Sequence, residues 1–391
     1  MHERIGNNKK LKIECLRLKG MLNIDDIQFI REMAECYYDT KGHKYDGHLR
    51  YLDISGATLT NTDNKEVSIY PRDPSEYEGT PWPSADAYIN DKGTPVAIFA
   101  YLYDMEEIVL PAKLKSIGDD AFIFCRSMKS INIPESVQKI GLRAFFGCSS
   151  LKSMKLPIGI TEIKSGLLSG CTNLTSIDIP YTTEEIGHNA FSKCTSLKSI
   201  ELPYSLNNMG ISVFYGCTAL TSVTIPKNIR YINDYTFSYC TGLKSLTLQE
   251  GTTDIWDYAF TDCTLLTTIT LPSTLGTICD AAFANCNSLK SIYALNPQGI
   301  GIKGKPFEEY TQSQCTLYVP EGSMYNYKRL EEWNAFNHIV EFSPTGIDGV
   351  HSSAERREVE RYDASGRRLP SPTKGLNIVR FNDGTTRKVM K

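Results

Sequence analysis

Residues 151–157 read Leu151-Lys152-Ser153-Met154-Lys155-Leu156-Pro157. Met154 and Leu156 are two apart, so on an extended backbone both face one side while Ser153 and Lys155 face the other. Pro157 has no N–H and ends the pairing there. Cys171 closes the unit, and the unit returns every 23 residues, at Cys125, Cys148, Cys171, Cys194, Cys217, Cys240, Cys263 and Cys286. A disulfide or zinc framework has no reason to hold one interval over so many cysteines; a period of this length marks a solenoid.

Other columns keep the same step. One runs Phe122, Phe145, Leu168, Phe191, Phe214, Phe237, Phe260 and Phe283; another runs Pro111, Pro134, Pro157, Pro180, Pro203 and Pro226, breaks at Gln249 and resumes at Pro272. A third runs Ile117, Ile140, Ile163, Ile186, Met209, Ile232, Ile255 and Ile278. One unit is too thin to bury both of its apolar edges, so neighbours must stack. Their strands then pair in parallel at about 4.8 Å, which predicts a continuous sheet along one side.

Composition narrows the class. Of 391 residues, 41% are hydrophobic and 22% charged, which suits neither a disordered nor a collagen-like chain. A net charge of -3 gives no electrostatic case for nucleic acid or an anionic membrane as partner. No run of eighteen apolar residues occurs, so no transmembrane segment is expected.

Ile133-Pro134, Ile140-Gly141, Ala144-Phe145 and Gly147-Cys148 carry a family signature. Over about residues 105–295 the chain resembles the BspA-like surface-antigen class of leucine-rich repeats of Bacteroides-type and oral bacteria, with Leu167-Leu168 departing from the Ala-Phe pattern. The fold expected is a β-rich, right-handed leucine-rich-repeat solenoid, with a parallel sheet on one face and short helical or irregular convex segments. The resemblance implies a repeat protein exposed on a cell surface that binds other macromolecules, with no chemistry implied.

The flanks fit caps. Residues 1–58 read as an N-terminal cap with divergent first coils: alternation over 11–18, a helix carrying Ile27, Phe29, Ile30 and Met33 with an Asp at its N-cap, and a strand at Tyr51-Leu52-Asp53-Ile54. Residues 59–104, with Pro71, Pro74, Pro81 and Pro83, read as an irregular insertion or transition. Residues 296–342 form a C-terminal cap: a strand from Cys315, an amphipathic helix from Tyr325 to Trp333, and a last strand over His338–Phe342. Residues 343–355 are a polar linker.

Residues 356–391 are basic, and Gly366, Gly375 and Gly384 punctuate three short strands. The alternatives are a basic tail and a small β-sandwich-like segment; the latter resembles the C-terminal sorting domain of the type IX secretion system. That resemblance implies export behind a leader. The first ten residues carry no leader pattern, which suits either a cytoplasmic protein or a mature secreted one. The tail favours export, and the expected location is secreted or cell surface.

The sequence carries no catalytic motif: the six histidines have no zinc-type spacing, and nucleophile-elbow, metalloprotease and phosphate-loop patterns are missing. No enzyme activity, cofactor or metal is expected. His43 and His48 flank Asp46 in what reads as a solvated loop, while Asp25-Asp26 and Asp119-Asp120 have capping or turn roles. The cysteine column reads as a ladder of buried free thiols, since side chains stacked at one coil position point the same way and do not face each other. Cys15, Cys36, Cys279 and Cys315 lie outside it, and one pair among them could bridge in an oxidising compartment.

Binding surface is where function is expected. A near-constant outward column runs Lys129, Lys152, Thr175, Lys198, Thr221, Lys244, Thr267 and Lys290, suited to solubility or coil-to-coil hydrogen bonding. Beside it a varied column runs Asn132, Lys155, Asp178, Glu201, Thr224, Thr247, Thr270 and Tyr293, the better candidate for recognition. Tyr181 with Tyr204, and Tyr235 with Tyr258, hold equivalent places in adjacent coils and supply stiff aromatic area with a polar tip. The expected function is non-enzymatic binding or adhesion to a host or microbial protein or glycan; the alternative is a carbohydrate-binding accessory beside surface glycan-degrading machinery.

Overall fold

A computed structural model describes residues 5, 7–34, 36–38, 44–60, 67–69, 85–89, 95–343, 358–363, 369, 371, 376–381 and 386–390. Most coils contribute two short parallel strands and one turn-rich arc. The first ladder stacks Glu107–Val109, Ser130–Asn132, Ser153–Lys155 and Ser176–Asp178, then Ser222–Ile225, Ser245–Leu248, Thr268–Leu271 and Ser291–Ala294. Pairing holds the 23-residue register, as in Met154 opposite Ile177 and Leu246 opposite Ile269. The second ladder is the isoleucine column, with Ile117 opposite Ile140 and Ile232 opposite Ile255. Apolar inward residues are buried and their strand neighbours exposed, so the period of two in the sequence is the burial pattern.

The arc closes each coil by a ladder of its own. Backbone N–H groups of alternate residues donate to the carbonyl 22 residues on: Phe122 to Ala144, Phe145 to Leu167, Phe191 to Val213 and Phe237 to Ala259. Aiming successive amides this way takes two residues per coil at positive φ. One column is Asp120, Arg143, Gly166, Asn189, Ser212, Tyr235, Tyr258 and Ala281; the other is Phe124, Gly147, Gly170, Lys193, Gly216, Tyr239, Asp262 and Asn285. Non-glycine residues cost about 1–2 kcal/mol at such φ, offset by the packed rungs on both sides.

Inside the arc the aromatic column is a stack. Phe99, Phe122 and Phe145 lie at 5.4 and 5.1 Å between ring centroids; beyond Leu168 the stack resumes at Phe191 and runs through Phe214, Phe237, Phe260 and Phe283 to Phe307. Phe99 and Phe307 carry the column past both ends of the expected 105–295 array, and residues 97–101, within the segment read as irregular insertion or transition, pair with the next coil. Each column cysteine is buried and outside any disulfide. Its thiol donates to the carbonyl of the Phe or Leu column residue one coil back, from Cys125 to Phe99 at 3.0 Å through Cys286 to Phe260 at 3.2 Å. Cys15, Cys279 and Cys315 are outside any disulfide as well, and the Cys36 side chain lies outside the described residues.

The expected continuous sheet is instead three ladders. One joins the cap strands Cys15–Leu22 and Tyr51–Leu59 to Glu107–Val109 and Ser130–Asn132; one has two strands; one has six and ends at His338–Phe342. The second break falls at coil 199–202, which offers only a bridge from Ser199 to Ser222. Asp178 and Glu201 are neighbours in the outward column there, and like charges side by side weaken pairing.

Both ends of the core are closed. The N-terminal strand is Cys15–Leu22, later than the alternation over 11–18, and the helix is Ile24–Ala34. Its N-cap is Asn23 and not an Asp: the Asn23 side chain accepts from the Asp26 N–H at 3.1 Å, and the Asp26 carboxylate accepts from the Asn23 N–H at 3.3 Å. From that helix the buried Arg31 donates to the Ile98 and Ala100 carbonyls at 3.2 and 2.8 Å. Those are the acceptors that, in later coils, the preceding coil fills. At the other end Trp333 donates its indole N–H to the Ile300 carbonyl at 2.7 Å and packs on Phe307. The single helix expected there is two, Met324–Lys328 and Glu331–Asn334.

Strands Glu358–Asp363, Leu376–Phe381 and Thr386–Met390 make one antiparallel sheet near the C-terminus; among the described residues it is a single layer. It touches the solenoid through Tyr362, edge-on to Tyr181 at 5.6 Å.

Candidate functional surface

The outward column begins on the alternate positions of the first ladder. Lys155 is exposed and pairs with Glu135 at 3.1 Å, both partners largely in water, so the pair adds little stability. Asp178 and Glu201 are exposed, Thr247 is half-buried and Thr270 buried. At Tyr293 the column turns aromatic. Tyr293 stacks on Tyr318 at 4.5 Å and 10°, and Phe342 meets Tyr293 edge-on at 5.8 Å. Burial pushes the Tyr293 phenol up, and the neighbouring Tyr318 adds to the shift. Two half-buried phenols and a phenyl ring thus form one patch across three strands of the cap end.

The tyrosines picked from sequence fall in other places. Tyr235 and Tyr258 stack with parallel rings at 5.0 Å on the arc, both at positive φ, next to Tyr215 and Tyr239, which meet edge-on at 5.4 Å. Tyr204 is 43% exposed in the turn after the first ladder. Its neighbour by register, Tyr181, packs on Tyr362, so that pair is no open platform. The candidates therefore spread over sheet face, following turn and arc. Tyr318 and Phe342 were missed: Tyr318 lies 25 residues after Tyr293, outside the 23-residue search, although Thr316-Leu317-Tyr318-Val319-Pro320 alternates like a strand.

Carboxylates on the arc serve the backbone. Asp119 accepts the Leu142 N–H, and Asp234, Asp257 and Asp280 accept those of Asp257, Asp280 and Lys305. Asp120 holds Arg143 by two hydrogen bonds at 2.9 and 2.7 Å. Among the described residues no cluster of His, Cys, Asp and Glu is placed to hold a metal, and His43 lies outside them. No helix among them is long and apolar enough to cross a membrane.

Among solved structures, the chain is similar to a leucine-rich cell surface protein from Faecalibacterium prausnitzii A2-165, at 18% identity over 86% of this chain and 91% of that one, with a TM-score of 0.39. It is similar to a leucine-rich repeat protein from Bacteroides ovatus ATCC 8483, at 21% identity over 84% and 94%, with a TM-score of 0.34. It is also similar to a leucine-rich repeat protein of T. pallidum, at 22% identity over 59% and 86%, with a TM-score of 0.34. No curated protein matches the chain. A family model of the BspA type leucine rich repeat region matches residues 95–221 and 208–321 in six copies, more than half of the chain, and the protein belongs to that family.

Proposed function

We propose that this is a secreted or cell-surface binding protein that docks a macromolecule along the outer face of its first ladder. The observation that carries the reading is the Tyr293, Tyr318 and Phe342 patch, continuous with the column through Thr247 and Thr224. Aromatic area with hydroxyl tips yields contact energy without ordering many rotors. The same chemistry favours a glycan over a protein ligand. The two tyrosines carry phenol hydroxyls on rings stacked on each other, and Thr247 and Thr224 farther along the column are uncharged hydrogen-bonding groups. The C-terminal sheet fits a sorting segment for export in this reading.

The experiment is a screen of glycan and matrix-protein arrays with the full chain and with Tyr293→Ala/Tyr318→Ala. A ligand bound by the parent and lost by the variant, at equal folding by circular dichroism, supports the face; a ligand bound equally by both rules it out.

A further inference from the structure

The near-constant column alternates. Beyond Lys129 it reads Lys152, Thr175, Lys198, Thr221, Lys244, Thr267 and Lys290, so lysines recur every 46 residues, on every second coil. Backbone hydrogen bonds tie four of the six steps from Lys152 to Lys290: Thr175 N–H to the Lys152 carbonyl at 2.9 Å, Thr221 to Lys198 at 3.1 Å, Lys244 to Thr221 at 3.0 Å and Lys290 to Thr267 at 2.9 Å. All four lysines are exposed, and none forms an ion pair with a described residue. The one break in the alternation, Lys129 beside Lys152, is neutralised by Glu106. At about 4.8 Å per rung the ammonium-bearing positions stand about 9.6 Å apart.

Two of the three threonines between them are already engaged. Thr175 and Thr221 donate their hydroxyl protons to the Lys152 and Lys198 carbonyls at 3.0 and 3.2 Å. They offer a ligand only lone pairs, which accept from a hydroxyl and repel an anion. On the turn side, Thr172, Thr195 and Thr218 are held to the preceding coil in the same way. On the strand side, Asp178 and Glu201 are the acidic members of the varied column; past them it is neutral from Thr224 to Tyr293.

We propose that this row binds a linear acidic polysaccharide with one anionic group per disaccharide, laid along the solenoid axis. The proposal rests on the reading that this side of the solenoid takes a glycan. An extended β-linked chain advances about one rung per sugar, so alternate sugars meet alternate coils: anion on lysine, neutral hydroxyl on threonine. A charge on every sugar would set half of its anions over threonine lone pairs. Repulsion among lysines alone would also space them, but it asks for no ligand and no register.

The test uses the full chain and four probes: hyaluronan oligosaccharides, with one carboxylate per disaccharide; polygalacturonate, with one per sugar; neutral dextran; and single-stranded DNA. Two variants are compared with the parent. K198Q/K244Q/K290Q removes the charges. T221K/K244T keeps the composition and net charge but moves one lysine by a rung. Titration calorimetry near physiological salt is expected to show hyaluronan bound best, and weakened about tenfold by the triple variant, as the loss of three exposed ion pairs allows. The register variant displaces one of those contacts and should weaken binding about twofold. Equal binding by the register variant, stronger binding of polygalacturonate or DNA, or no hyaluronan binding would each overturn the proposal. If the Tyr293→Ala/Tyr318→Ala variant still loses an array ligand in those cases, the docking face stands without the lysine row; if it loses none, both fail.

Discussion

A thiol at every coil is explained by an acceptor at every coil. The Phe122 carbonyl takes the Cys125 N–H at 3.1 Å and has a second lone pair, which the Cys148 thiol fills at 3.1 Å; alanine would pack there but leave it open. Burial pushes the column thiols from Cys148 onward up, Cys217 and Cys286 to about 12. Alkylation of the native protein near pH 8 should therefore spare the column and reach the exposed Cys15 first. Titration after denaturation without reductant should find at least the eight column thiols free, and a largely oxidised count would overturn the ladder. The folded values lie above the usual 9, so the stability these thiols confer is complete below about pH 9 and is lost as pH climbs toward 12. Each thiol that ionises only on unfolding removes about 1.4 kcal/mol of stability per pH unit in that window. A urea midpoint equal at pH 8 and pH 10.5 would show that they are not shielded. The positive-φ columns make a second residue-scale case. Lys193, at φ 58, sits between Gly170 and Gly216. Lys193→Gly should stabilise by about 0.5–1 kcal/mol, since relief of the left-handed strain exceeds the added chain entropy. Gly147→Ala should destabilise more than Gly170→Ala, because a methyl at 147 meets the Phe124 ring whereas one at 170 makes ordinary contact at 3.5 Å. Melting by calorimetry orders the three.

At the scale of the element, the arc is held by its ring stack and the open end by one helix. Phe237 is fully buried, with Phe214 at 5.3 Å and Phe260 at 5.4 Å. Phe237→Ala should cost about 3–5 kcal/mol, since neighbours fixed by their own rungs cannot collapse into the cavity. An unchanged melting curve would remove it from the core. Arg31 replaces a missing coil, so Arg31→Met should cost about 1–3 kcal/mol for each carbonyl left unpaired. The damage should be local. Hydrogen exchange should speed up in residues 97–102 with no change in 254–278, and uniform loss of protection would contradict the cap. The helix over Ile24–Ala34 was legible because Ile27, Phe29, Ile30 and Met33 repeat at its pitch. What Arg31 does was not, because its acceptors lie 67 and 69 residues away and no local pattern encodes them.

For the whole molecule, the 23-residue interval made core, register and solenoid legible, because every rung meets the same packing problem and solves it with the same residues. Where the solution tolerates variety the signal fades. The positive-φ positions hold Asp, Arg, Asn, Ser, Tyr, Phe and Lys, since the hydrogen-bonded rungs on either side impose the conformation. Steps of 24 to Phe307 and 25 to Tyr318 likewise hide the end of the stack and the aromatic patch from a fixed period. Stability in such a stack is nearly a sum of coils and nearest-neighbour interfaces, so its weakest joint sets where it opens. One such joint is coil 199–202, at the second break in the first ladder, where a single bridge remains and where Asp178 and Glu201 come side by side. Asp178→Asn removes the repulsion and keeps the shape. It should slow amide exchange in 199–202 about two- to fivefold, as expected for a like-charge pair worth a few tenths of a kcal/mol to one, while leaving 245–248 unchanged. If 199–202 already exchanges as slowly as 245–248 in the parent, the break is no weak joint, and opening must begin elsewhere along the rod.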